Sequence, residues 1–124
     1  MASYRENFAE AQQGKVGITL SVGWKEPQQP SNSSHLAASE TAMMFELGWY
    51  TEPVLGTGRY PAVMRERVDA KSAAQGFPES RLPVFTQEEA ALNLGSVDFL
   101  GINMYTSSLV FPQEEGIDQV RQRI

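Results

Sequence analysis

Gly95-Ser96-Val97-Asp98-Phe99-Leu100-Gly101-Ile102-Asn103-Met104-Tyr105-Thr106 is the stretch whose reading decides the fold. A strand alternates its side chains between two faces, so Val97, Phe99, Gly101, Asn103 and Tyr105 share one face and Leu100, Ile102 and Met104 the other. Both faces are apolar until the last residues, the pattern of a parallel strand covered on both sides. Asn103 and Tyr105 break that pattern only at the C-terminal end. From the residues alone, two polar groups at a strand end read as ordinary capping.

Working outward, Val16, Ile18, Leu20 and Val22 alternate within Lys15–Val22 and predict a second strand. Ahead of it, Tyr4 to Gln13 reads as the last turns of a helix stopped by Gly14. Behind it, Gly23 to Ser34 reads as a loop. A helix is expected from Ser33 or Ser34, with Ala37, Thr41, Met44, Phe45, Gly48 and Trp49 on one core-packing stripe. Pro53 and Gly56-Thr57-Gly58 mark another loop, and Pro61 suits the first turn of a helix reaching about Gln75. Gly76 to Phe85 reads as irregular. Thr86-Gln87-Glu88-Glu89 is a capping box that starts a short helix ending at Gly95. Residues 107–124 read as an acidic loop or tail. Two strands separated by helices cannot form a tight hairpin; they fit a parallel β/α crossover, so the fold class is α/β.

Composition removes several functions. The net charge of −5 over 124 residues, with basic residues scattered mostly between Arg59 and Arg81 and interleaved with acids, argues against nucleic acid. Those arginines read as a solvated helix face. Without cysteine, no disulfide or thiolate metal site can form. His35 is the only histidine, so a Ser-His-Asp triad or His-rich metal site would have to be built on it. Beside Ser34 at a helix start, it reads as a surface residue. Asn32-Ser33-Ser34 fits a glycosylation acceptor, a common triplet. No apolar run approaches the roughly 20 residues of a membrane span. Met1 to Glu10 has no signal-peptide core, which leaves localisation open; a parent protein, secreted or not, would carry any signal upstream.

Gly95–Thr106 also resembles a signature of the family 1 glycoside hydrolases, the β-glucosidase group, written Gly-Ser-x-Asp-Phe-x-Gly-x-Asn-x-Tyr-Thr. The resemblance runs along nearly the whole chain. Gln13–Leu20 is similar to the family's fifth barrel strand and the approach to it, and Trp24 and Pro27 match the Trp-x-x-Pro after it. Ala37-Ala38 through Phe45-Glu46-Leu47-Gly48-Trp49-Tyr50 resembles the following helix. Tyr60-Pro61 with Met64 resembles a Gly-Asp-Tyr-Pro-x-x-Met segment. Ser80–Pro83, Phe85-Thr86 and Glu88-Glu89 resemble the connection into the sixth strand. The nearest flavour is an animal or insect β-glucosidase or myrosinase-like branch. Two small departures stand out: Arg59, where the family usually has an acid, and Met104, where many members have an aromatic.

The resemblance implies a partial (β/α)8 barrel, about strands five and six with their connecting helices, in residues 1–124 of a single catalytic domain. A whole barrel needs about 250 residues. It implies that Tyr105 hydrogen-bonds the catalytic nucleophile, that Asn103 lines the sugar pocket at the C-terminal end of the strand, and that Trp24 stands on the aglycone side, with core packing an equal alternative. The substrate class is a β-glycoside, with no metal and no organic cofactor. Family members hydrolyse with retention through two glutamates, one in Asn-Glu-Pro after the fourth strand and one in Thr-Glu-Asn-Gly after the seventh. Neither motif occurs in this chain. Retention needs two carboxyl groups about 5–5.5 Å apart. Glu26, Glu40, Glu46, Glu88, Glu89 and Asp98 read as solvated or capping carboxylates, so no catalytic residue is assigned. The expected function is a segment of a retaining β-glucosidase, inactive by itself. The alternative is a truncated, non-catalytic sugar-binding or interaction protein. Two strands cannot close a barrel, so self-association through exposed strands is expected of the isolated chain.

Overall fold

The two alternating runs pair side by side in parallel. In the computed structural model, which describes residues 1–112, strand β1 spans Gly17–Pro27 and strand β2 spans Phe99–Val110. Gly17 lies opposite Phe99, and the register runs evenly to Val22 opposite Met104. A parallel pair requires a long crossover, and the chain between them supplies helical material: α3 at Ser33–Met43, a π-helical turn at Met44–Gly48, α4 at Trp49–Thr51, a second π turn at Glu52–Gly56, α5 at Ala62–Ala74 and α6 at Gln87–Asn93. Ahead of β1 stand two short helices, α1 at Ala2–Asn7 and α2 at Ala9–Gln12.

Local chemistry explains most boundaries. Asn32 caps α3, its side-chain oxygen accepting from the Ser34 amide at 3.0 Å and from the Ser34 hydroxyl at 2.8 Å. The capping box read at Thr86 is present: the Glu89 amide donates to Thr86 Oγ1 at 3.1 Å, and the Thr86 amide donates to Glu89 Oε2 at 2.9 Å. Pro61 stands at the N-cap of α5. Gly58, at φ +79°, takes a conformation that L side chains rarely adopt, and a Cβ there would collide with the Ala90 carbonyl of α6.

Several expectations need correction. The segment read as a loop after Val22 is strand as far as Pro27, and the segment read as a tail is strand from Ser107 to Val110. A bulge carries both extensions: after Val22 opposite Met104 the pairing resumes at Trp24 opposite Ser107, so Gly23 faces two residues, Tyr105 and Thr106. The rest of the expected tail, 113–124, lies outside the described residues. The helix read over Tyr4–Gln13 breaks at Phe8, and the left-handed residue at its end is Gln13, φ 51°, not Gly14. Helix persists through Pro53 to Gly56, because proline is tolerated in the first turn of the new π segment.

The core is small. Met64 and Ser72 on α5 are almost fully buried, with Leu20, Val22, Leu82, Ala90 and Val97 close behind. α3 covers β1. The expected core stripe is only partly inside: Gly48 is buried, whereas Met44 and Trp49 are exposed. Arg59 and Arg81 are exposed, as a solvated face requires, and Arg65 and Arg67 are half-buried, but all four also have partners. Arg59 donates to the Phe85 carbonyl at 2.7 Å, and Arg65 to the Leu82 and Pro83 carbonyls at 2.6 and 2.5 Å. Arg67 and Arg81 lie over the Phe45 and Phe77 rings. Irregular backbone between Gly76 and Phe85 leaves carbonyls without a ladder, and guanidinium groups fill that need.

Candidate functional site

Asn103 and Tyr105 stand in the middle of β2, which continues past them to Val110, rather than at the strand end read from the sequence; they lie on the face the helices leave open. The register defines that face. Thr19 lies opposite Gly101 and Ser21 opposite Asn103, and both Thr19 and Ser21 are exposed. Asn103 is exposed as well, and Tyr105 is 86% exposed, the highest value for a large hydrophobic side chain in the described residues. Exposure of that size leaves the phenol free to meet a further group.

Trp24 joins them through a change of phase in β1. Leu20 and Val22 are buried in regular alternation, but the next buried residue is Lys25, three positions beyond Val22. The strand gains a half-pleat at Gly23. Lys25 therefore takes the helix-covered face and Trp24 the open one, 44% exposed, with its indole N–H donating to Glu26 Oε2 at 2.6 Å. Simple alternation from Val22 places Trp24 on the wrong face; the glycine at the bulge was the only signal in the sequence.

The helix-covered side of the bulge has its own polar cluster. Glu46, in the turn Met44–Gly48, accepts the Gly23 amide on Oε1 at 2.9 Å, and its Oε2 lies 3.5 Å from Lys25 Nζ. Ser39 of α3 donates to the Lys25 carbonyl at 2.5 Å. Glu46, which reads from the sequence as a solvated or capping carboxylate, is instead paired with Lys25 across the chain segment that joins β1 to the helices.

The opposite end of the strand pair carries a different device. Asp98 accepts the Val16 amide on Oδ2 at 2.8 Å and Arg5 Nη2 on Oδ1 at 3.0 Å, while Arg5 also donates to the Ser96 carbonyl. The Val16 amide, then the Arg5 guanidinium, hold the Asp98 carboxyl below its ordinary range. The other candidate acids are engaged or solvated: Glu26 holds Trp24, Glu46 holds Gly23 and Lys25, Glu89 closes the capping box, and Glu40 and Glu88 are exposed. His35 is half-buried rather than a surface residue, and its Nδ1 has no hydrogen-bond partner among the described residues. No cluster of three or more His, Cys, Asp or Glu that could hold a metal ion occurs among the described residues, and no helix there is long and apolar enough to cross a membrane.

A parallel pair joined by a helical crossover is the layout of a section of a β/α barrel wall. The chain belongs to glycosyl hydrolase family 1, whose sequence profile matches residues 1–123. Human lactase-like protein is 40% identical over 118 residues, covering 92% of this chain and 21% of that protein. Human cytosolic beta-glucosidase is 37% identical over 112 residues, covering 90% of this chain and 24% of that protein. Among solved structures, aphid myrosinase superposes with a TM-score of 0.84 at 35% identity, over 94% of this chain and 25% of that one. A rice β-glucosidase does so with a TM-score of 0.77 at 35% identity, over 98% of this chain and 23% of that one. This chain thus spans about a fifth to a quarter of these relatives, and its fold is part of their barrel.

Proposed function

We propose that this chain is the section of a retaining β-glucosidase-type hydrolase that forms about the fifth and sixth barrel strands and one wall of the sugar pocket. Tyr105 donates its phenol to the nucleophilic carboxylate, Asn103 hydrogen-bonds the sugar, and Trp24 borders the aglycone. The two glutamates that do the chemistry lie elsewhere in the barrel, and the isolated 124 residues turn over no substrate. The observation that supports this reading is that Trp24, Asn103 and Tyr105 share one open face of a parallel pair.

A donor to a carboxylate stabilises its charged form, and a hydrogen bond to a charged group contributes about 1.5–3 kcal/mol. In the longer protein, Tyr105→Phe should therefore lower kcat/KM on p-nitrophenyl β-glucoside by about 10- to 100-fold. It should also move the acid limb of the pH–rate profile upward, because the nucleophile loses a partner for its charged form. An unchanged rate and profile would remove Tyr105 from the site. Measurable hydrolysis by the isolated 124 residues would overturn the inactivity, and sugar binding without hydrolysis by a natural 124-residue product would favour the non-catalytic alternative.

A further inference from the structure

We propose that Glu46 is a positioning residue: its carboxylate sets the pleat phase of β1 at Gly23 and so determines that Trp24 is presented on the face of Asn103 and Tyr105. The proposal deepens the glycosidase reading and rests on it for the use made of Trp24.

An undisturbed strand alternates, which would bury Trp24 with Leu20 and Val22 and expose Lys25. β1 does the reverse. Two bonds to one carboxylate account for the reversal. The Gly23 amide donates to Glu46 Oε1 at 2.9 Å at the point where register with β2 is broken. Lys25 Nζ lies 3.5 Å from Glu46 Oε2, with its side chain only 11% exposed. A buried ammonium is costly without a counter-charge, so Lys25 follows Glu46 to the helix side. Alternation then resumes from Lys25 and sends Trp24 and Glu26 to the open face, where the indole N–H meets Glu26 Oε2. The wide turn at Met44–Gly48 contributes by rotating the chain beyond Met43 relative to α3; one extra residue per turn amounts to about 100°. Gly23 is not needed for space on the helix side, since the nearest atoms to a Cβ there, on Lys25, Thr106 and Glu46, lie at 3.6–3.7 Å. The carboxylate, rather than the glycine, selects the phase.

The test uses the longer protein that carries these residues, with two substrates differing in the leaving group. Glu46→Leu should raise KM for p-nitrophenyl β-glucoside about five- to tenfold, the scale of one lost aromatic contact, with kcat and the KM for methyl β-glucoside within about twofold. Glu46→Gln keeps an acceptor for the Gly23 amide but not the counter-charge for Lys25, and should recover part of the loss. If Glu46→Leu fails to fold because it strands Lys25, Glu46→Leu with Lys25→Met removes the ammonium and should keep the KM defect. Equal KM values in variant and wild type, or a parallel rise for both substrates, would overturn the proposal. If the wild-type protein hydrolyses neither glucoside, the glycosidase reading fails, and amide exchange in the peptide 21–26 decides the clamp instead. Faster exchange in the double variant than in Lys25→Met supports it, and equal exchange overturns it.

Discussion

β1 and β2 read alike in sequence and are treated differently in the structure. Ile18, Leu20 and Val22 line one strand as Leu100, Ile102 and Met104 line the other, residue opposite residue. Leu20 and Val22 are each 8% exposed, whereas Ile102 is 48% and Met104 53% exposed. The difference lies in the cover: α3 lies over β1, and among the described residues nothing comparable lies over the same face of β2. An apolar face of this kind marks a surface made to be covered. In a β/α barrel each strand is covered by helices, so the bare half of β2 is what a section of a barrel should show.

Substitutions can break or sharpen that contrast. The largest effect is expected at Leu20. Leu20→Ala in the longer protein should cost about 2–5 kcal/mol by urea unfolding, the range for emptying a covered leucine site. Met104→Lys should act in opposite directions in the two contexts. In the isolated 124 residues it should raise the soluble fraction after centrifugation, since it breaks an exposed apolar strand face. In the longer protein, where the barrel reading covers Met104, it should destabilise about as much as Leu20→Ala. Loss of solubility in the short chain, or no effect in the long one, would mean that β2 is meant to be bare.

A smaller effect is expected at the N-terminal end of the pair. The Asp98 carboxyl titrates below its ordinary value of 3.8 when folded. Its contribution to stability is therefore fully present above that ordinary value and is lost as pH falls through the lowered one. Asp98→Asn should flatten the acid dependence of the unfolding midpoint below about pH 4, and its stability cost should be largest near pH 7, where the bonds of the charged carboxylate to the Val16 amide and Arg5 contribute fully. The smallest effect is expected at Gly23→Ala, within about 0.5 kcal/mol, because its neighbours sit at ordinary contact distance.

Much of this architecture was legible because it is local. Alternation at 16–22 and 97–105 found both strands, the helical material between them required parallel pairing, and Thr86 with Glu89 announced its own cap. What the sequence hid depends on partners far along the chain. Trp24 is on the open face only because Glu46 reaches Gly23 and Lys25 across the crossover. β1 and β2 extend to Pro27 and Val110 only because a bulge lets pairing resume. What Arg59 and Arg65 do for the carbonyls of Phe85, Leu82 and Pro83 shows only once that irregular backbone is seen to need donors. Asn103 and Tyr105 stood out only through the family signature; from alternation alone they were two polar groups that read as a strand end.

The most direct test of the barrel-section account is the intact mass of the natural product, captured with an antibody to the 77–86 region. The account predicts a mass several times 13.7 kDa and hydrolysis of p-nitrophenyl β-glucoside by the captured protein. A product near 13.7 kDa that unfolds cooperatively as a monomer would contradict it.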